Sequence, residues 1–269
     1  MRFVRVALMV LGIFVVSPVW AKMVAKPVSW QLDGTTFKSM LVYDDAVTAK
    51  RPGLLMVPNW YGVNDIAVKK AEMIAGKDYV ILLTDMYGDG VRPKSDDDAR
   101  TAVAPLYHDR GLMRARMVKA FEQLKGQAKD APVDLSRLAA IGFCFGGAAV
   151  LDLARTGSDV KAVVAFHGDL STDNPALAAK IKARVLAMNG SADTFTIGQV
   201  PDFTKGMEQD SADWQFVEIG HAVHCFTETE ATAKTGNCRY DAKVAARSYR
   251  LMRDWLTESF AVDSNAAGT

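Results

Sequence analysis

The chain has 269 residues, 49% of them hydrophobic and 23% charged, which is enough apolar material for one sizeable core and excludes a low-complexity or disordered polymer. A formal net charge of +1 offers no basic footprint for nucleic acid or an anionic membrane surface. Three cysteines and four histidines leave few places for thiol or imidazole chemistry.

The first 21 residues read as an export signal. Arg2 and Arg5 precede an apolar run from Val6 to Val16, Ser17-Pro18 breaks it, and Val19-Trp20-Ala21 offers a small-x-Ala cleavage site. The run is short for a bilayer span, so an uncleaved anchor is the weaker alternative. The expectation is a signal peptide over 1–21 and a single mature domain over 22–269. That domain is expected to be exported to a bacterial periplasm, free of the membrane after cleavage, and monomeric. In an oxidising compartment an odd cysteine count suggests one pair and one free thiol. A Cys225–Cys238 disulfide with free Cys144 is expected; three reduced thiols are the alternative.

Val28 to Val42 alternates around Asp33-Gly34 and predicts an antiparallel hairpin. Leu54-Leu55-Met56-Val57 is a continuous apolar run of the kind buried on both faces. The loop Pro58-Asn59-Trp60-Tyr61-Gly62 follows, then a helix capped by Asn64 or Asp65 and reaching about Ala75. Tyr79 to Leu83 is the next buried strand. The polar stretch from Arg92 to Asp98 leads into helical sequence, with breaks expected at Pro105 and Gly111, that continues to about Gln127. Leu138 to Ile141, Val160 to Phe166, Ala183 to Met188 and Trp214 to Ile219 supply four further strands. Asp241 to Leu256 predicts a closing amphipathic helix, and Ser264 to Thr269 a disordered tail. Strands alternating with helices predict an α/β class fold, a mostly parallel sheet with helices on both faces. In such sheets the chemistry lies in loops beyond the carboxyl ends of the strands.

The stretch that carries chemistry is Gly142-Phe143-Cys144-Phe145-Gly146-Gly147. It reads as a nucleophile elbow, Gly-x-Ser-x-Gly with cysteine for serine, between a strand and a helix of small residues from Ala148 to Ala154. Side chains two positions either side of the apex would collide, so glycines stand there. A helix N-terminus beneath the thiol favours the thiolate.

A cysteine nucleophile needs a base, and an imidazole needs a carboxylate to fix its tautomer. The elbow predicts the order nucleophile, acid, histidine, which Cys144, Asp193 and His224 satisfy, each after a different strand. His108 lies in helical sequence, and His167 follows a strand where a structural hydrogen bond is expected. His221 and His224 compete for the base; Phe226 can anchor the loop that carries His224. The oxyanion of acyl transfer needs two N–H donors, expected from the backbones of Phe145 and Trp60.

With these residues in place, the sequence resembles the dienelactone hydrolase family of α/β-hydrolases. The resemblance runs from about Gly53 to Trp255. It rests on Asn59-Trp60-Tyr61-Gly62, Asp85-Met86-Tyr87-Gly88, the elbow, Asn189-Gly190-Ser191-Ala192-Asp193 and Ala222-Val223-His224-Cys225-Phe226-Thr227. It implies the α/β-hydrolase fold, a Cys144–Asp193–His224 triad, and hydrolysis of a small-molecule ester or lactone through an acyl-cysteine with neither metal nor organic cofactor. Asn59, Tyr61, Phe143 and Phe226 are expected to line the substrate pocket.

One position departs from the family, which usually carries a glutamate where this chain has Asn59. In family members that glutamate interacts with the resting nucleophile. An amide can neither accept a proton nor hold charge. Cys144 is therefore expected to pair directly with His224 in the free enzyme. Glu228, four residues after the base, is expected to repel an anionic substrate. Two other readings stand beside the hydrolase: a thiol-redox protein, which lacks a Cys-x-x-Cys, and a non-catalytic binding protein that keeps the fold.

Overall fold

The computed structural model describes residues 22–209 and 212–266, with side chains to residue 261. The expected signal segment and the last three residues of the expected tail lie outside the described residues. The hairpin forms as β1 (Met23–Leu32) and β2 (Thr35–Asp44). Its turn places both Asp33 (φ 48°) and Gly34 (φ 76°) in the left-handed region, the geometry that lets a two-residue turn follow the strand twist. β1 pairs with β2 along its whole length, from Met23 opposite Asp44 to Leu32 opposite Thr35, with Pro27 opposite Met40.

The remaining strands are β3 (Arg51–Val57), β4 (Val80–Leu83), β5 (Val133–Phe143), β6 (Ala162–Phe166), β7 (Arg184–Gly190) and β8 (Trp214–Ile219). They join the hairpin in one eight-stranded sheet of order β1-β2-β4-β3-β5-β6-β7-β8. β1 and β2 are antiparallel to their neighbours, and every pair from β4 to β8 is parallel. This is the α/β-hydrolase architecture.

The helices are α1 (Asp65–Ala75), α2 (Asp96–His108), α3 (Arg110–Gly126), α4 (Phe145–Arg155), α5 (Val200–Met207) and α6 (Ala242–Ala266). They cover both faces of the sheet because alternate residues of each central strand point opposite ways. Leu55 and Val57 face the layer built from α2, α3, α4 and α5, whereas Leu54 and Met56 face α1 and α6. Each layer has its own apolar core, so the central strands are buried on both sides, as their unbroken hydrophobicity requires.

Two boundaries differ from expectation. The helical stretch breaks at Asp109, not at Pro105 or Gly111; the Asp109 side chain accepts from the Leu112 amide at 2.9 Å and caps α3. The closing helix runs beyond Leu256 and takes in Ser264, Asn265 and Ala266. No helix among the described residues is long and apolar enough to cross a membrane.

Candidate active site

β5 ends at Phe143, α4 begins at Phe145, and Cys144 occupies the turn with φ 54° and ψ −116°. An L-residue adopts that conformation only under external constraint. The constraint is close packing. A Cβ on Gly142 would lie 2.0 Å from the Gly146 carbonyl oxygen, and one on Gly146 would lie 2.2 Å from the Val57 carbonyl oxygen. The Cys144 amide donates to the Phe166 carbonyl at 3.0 Å, which anchors the apex to β6. Cys144 is the free cysteine and is half-buried.

The loops after β7 and β8 bring Asp193 and His224 to the same rim. His224 Nδ1 lies 2.8 Å from Asp193 Oδ2, and both side chains are buried. The carboxylate is fixed from several sides. Oδ2 also accepts from the Thr196 hydroxyl at 2.9 Å, and Oδ1 accepts from the Phe195 amide at 3.0 Å and from Asn237 Nδ2 at 3.2 Å. Burial disfavours the charged form of the His224 imidazole. Hydrogen bonds to Asp193 and to Cys144, with the negative charge of both, outweigh that burial and push its pKa up to about 10. Burial would raise the pKa of Asp193, but the His224 ring, the Thr196 hydroxyl and the Phe195 amide hold it below its ordinary range. The competing His221 is exposed, and its backbone amide donates to Ser191 Oγ at 2.9 Å. His108 is exposed at the end of α2.

Phe145 is the first residue of α4, so its N–H has no partner within the helix. Trp60 sits in a tight turn after β3. The Gly62 amide donates to the Asn59 carbonyl at 3.0 Å, the Tyr61 amide to Asn59 Oδ1 at 3.0 Å, and the Tyr87 hydroxyl to the Trp60 carbonyl at 2.8 Å. Those three bonds set the orientation of the Trp60 peptide.

Asn59 is half-buried, and its side chain is engaged by the loop bearing His224. Its amide nitrogen donates to Glu228 Oε2 at 2.6 Å and to Glu230 Oε1 at 3.1 Å, which ties the Trp60 turn to the loop bearing His224. Glu228 is buried and paired with Lys70 Nζ at 2.7 Å. Burial would raise its pKa, but the Lys70 charge and the His167 contact hold it far below the carboxylate range. A neutralised, buried carboxylate does not confront a substrate, so the expected repulsion by Glu228 is corrected. Phe143 and Phe226 are also corrected. Both have no exposed surface: Phe143 stacks on Phe166 with centroids 4.7 Å apart and lies under Lys70, and Phe226 packs edge-on against His167. They form the floor beneath the site, because the side chain just before the apex of a strand points into the sheet layer. His167 is structural as expected, fully buried with Nε2 2.7 Å from the Thr227 hydroxyl. Tyr61 stays half-buried near the surface, its hydroxyl donating to Asp96.

Several neighbours escape the sequence. Lys70 carries a readable signal: it falls on the apolar stripe Ala67, Lys70, Ala71, Ile74 of α1, where a charge has to find a buried partner. Phe195 packs edge-on against the His224 ring at 5.4 Å and is 64% exposed. Tyr87 and Tyr107 both pack on the Phe145 ring. Asn237 gives no signal at all. Cys225 and Cys238 are disulfide-bonded, the expected pairing. No group of three or more His, Cys, Asp or Glu side chains able to hold a metal ion occurs among the described residues.

Known proteins share this fold. A solved structure of a dienelactone hydrolase-like promiscuous phosphotriesterase from metagenomic libraries is 33% identical, with a TM-score of 0.82, covering 89% of this chain and 99% of that one. A Bradyrhizobium protein named as a probable 2-oxo-3-(5-oxofuran-2-ylidene)propanoate lactonase is 28% identical over 214 residues, 74% of this chain and 84% of that protein. At the level of fold alone, a Rhizomucor miehei esterase matches with a TM-score of 0.65 at 12% identity, covering 90% of this chain and 85% of that one. The description of the dienelactone hydrolase family matches residues 37–260. The chain belongs to the dienelactone hydrolase family, and it is a hydrolase of carboxylic esters or lactones.

Proposed function

We propose that Cys144, His224 and Asp193 hydrolyse a neutral carboxylic ester or lactone through an acyl-cysteine. The observation that carries this reading is a half-buried thiol at a strained strand–helix apex, beside an imidazole whose Nδ1 lies 2.8 Å from a buried carboxylate. The raised pKa of His224 favours an imidazolium, which stabilises negative charge as it develops on sulfur. Sulfur adds to the substrate carbonyl, and the oxyanion is held by the N–H groups of Phe145 and Trp60. His224 returns its proton to the departing alkoxide, leaving the acyl group on sulfur. Water enters, His224 takes its proton, the thioester carbonyl is attacked, and the acid leaves as the thiolate re-forms. Asp193 holds the ring and stabilises its charge at each proton transfer.

Asn59 supports activation of this kind, because it is committed to Glu228 and Glu230 and takes no part at sulfur. The preference for a neutral, apolar substrate follows from the surroundings. Phe195, Tyr107 and the Phe145 ring stand around His224 and Cys144. The nearby cations are engaged elsewhere, Lys70 with Glu228 and Arg110 with Asp152. The Cys225–Cys238 pairing supports export to an oxidising compartment and thus the reading of residues 1–21 as a signal.

The decisive experiment is intact-mass spectrometry of enzyme quenched in acid during p-nitrophenyl acetate turnover. An acetyl adduct on Cys144, absent from Cys144→Ala, is expected. Turnover by the wild type that survives Cys144→Ala would end this reading. A neutral phosphotriester is a useful second probe, given the activity named for the metagenomic relative.

A further inference from the structure

We propose that Asn237 is a positioning residue for the Asp193–His224 pair, held in place by the Cys225–Cys238 disulfide. The inference rests on the assignment of Asp193 and His224 given above. The chain leaves the His224 loop, runs through the largely exposed segment 229–236, and returns beside its starting point. At the return, Cys238 forms an isolated parallel bridge with His224, and the Arg239 amide donates to the His224 carbonyl at 3.0 Å. The disulfide joins the residue after His224 to the residue after Asn237, with a separation of 13.

Asn237 uses both ends of its amide on the acid loop. Nδ2 donates to Asp193 Oδ1 at 3.2 Å, and Oδ1 accepts from the Thr194 amide at 2.9 Å. One side chain therefore grips the carboxylate and the backbone next to it. The other oxygen, Oδ2, is the one against His224. Turning the carboxylate about its bond to Cβ would break the contact with the ring, and Asn237 opposes that rotation. A segment without helix or strand has little stability of its own, so closure by a covalent link decides how firmly Asn237 is presented.

The link is also open to chemistry. A dithiol such as dithiothreitol would supply two electrons and two protons; the sulfur–sulfur bond breaks, Cys225 and Cys238 become thiols, and the reagent closes to its own cyclic disulfide. Cys144 is a thiol before and after. The consequence is a hydrolase whose turnover falls when its compartment turns reducing.

Steady-state hydrolysis of p-nitrophenyl acetate by wild type, Asn237→Ala, the pair Cys225→Ser/Cys238→Ser, and the triple variant tests this. Loss of one hydrogen bond to a charged group predicts a kcat about tenfold lower in Asn237→Ala with KM unchanged. The disulfide variant should fall by a similar factor, and the triple variant no further than either, since both changes remove one function. In Asn237→Asp, a second carboxylate beside Asp193 should move the acid limb of the kcat/KM profile to higher pH, which a purely structural role would not do. An Asn237→Ala enzyme within twofold of wild type, or losses that multiply in the triple variant, would overturn the proposal. Should the double serine variant not fold, wild type with its disulfide opened by dithiothreitol, verified by mass, takes its place; Asn237→Ala should then be indifferent to the reagent, and a further loss would count against the idea. Wild type lacking Cys144-dependent turnover would instead indict the triad assignment itself.

Discussion

His167 and His224 are two buried imidazoles, edge to face with centroids 5.0 Å apart, and they are driven in opposite directions. Burial lowers the pKa of His167 to about 4, whereas that of His224 rises to about 10. Desolvation is common to both, so it cannot be the deciding influence. The partners decide. His224 faces a carboxylate and a thiol, each able to carry the opposite charge. His167 meets the hydroxyl of Thr227, its Nδ1 has no hydrogen-bond partner, and the charge of nearby Glu228 is already matched by Lys70. Five residues of one loop, from His224 to Glu228, thus supply both one imidazole and the partners of the other.

The contrast breaks most severely at Asp193. Asp193→Asn should lower kcat/KM for p-nitrophenyl acetate by about 10³–10⁴, because the amide leaves the imidazole without its counter-charge and in the wrong tautomer. The rate of Cys144 alkylation by iodoacetamide at neutral pH should fall in the same variant, and an unchanged rate would refute the coupling. Next comes the inert side. Lys70→Met strands Glu228 as a buried charge and should cost about 3–5 kcal/mol in urea denaturation, with most of it recovered in Lys70→Met/Glu228→Gln.

A smaller effect appears in the pH dependence of stability. The folded-state pKa of His224 lies above its ordinary 6.5, so its contribution is fully present below pH 6.5 and is lost as pH rises toward about 10. Urea midpoints for wild type and His224→Gln should therefore be furthest apart near pH 6 and converge on the alkaline side. The opposite trend would show that the ring is held neutral. His167, lowered to about 4 by burial, costs stability only as pH falls below 6.5, and it does so equally in both proteins. The smallest effect belongs to Phe195. Its removal in Phe195→Ala should lower kcat/KM for an aromatic ester by about 2–5-fold relative to the acetyl ester, an apolar contact worth about 1 kcal/mol or less.

The parts of the site legible in the sequence are those where a local rule leaves a residue no choice. Gly142 and Gly146 are forced by backbone approaches that no side chain survives, and Asp33-Gly34 by a turn that needs two left-handed residues. The order Cys144, Asp193, His224 is set by which strands precede them. What stayed hidden depends on where distant segments meet. Nothing near Glu228 in the chain tells of Lys70, 158 positions earlier, so its charge reads as exposed when it is matched and buried. Phe143 and Phe226 read as pocket walls because their neighbours Cys144 and His224 reach the surface, yet alternation along the strand and anchoring of the loop turn both rings inward. Asp109 displaced Pro105 as the break between α2 and α3 because its capping bond ends one helix and starts another, a contest that proline geometry alone does not decide.

The outermost strand carries its own consequence. Midway along β1, where the sheet meets solvent, stand exposed Lys26 and Pro27. Proline has no amide hydrogen to offer a newcomer, and an ammonium group is costly to sandwich between stacked backbones. Growth of the sheet by annexing a neighbour's strand is opposed at that margin, which guards the chain against templated aggregation while leaving its chemistry at the far ends of the central strands untouched.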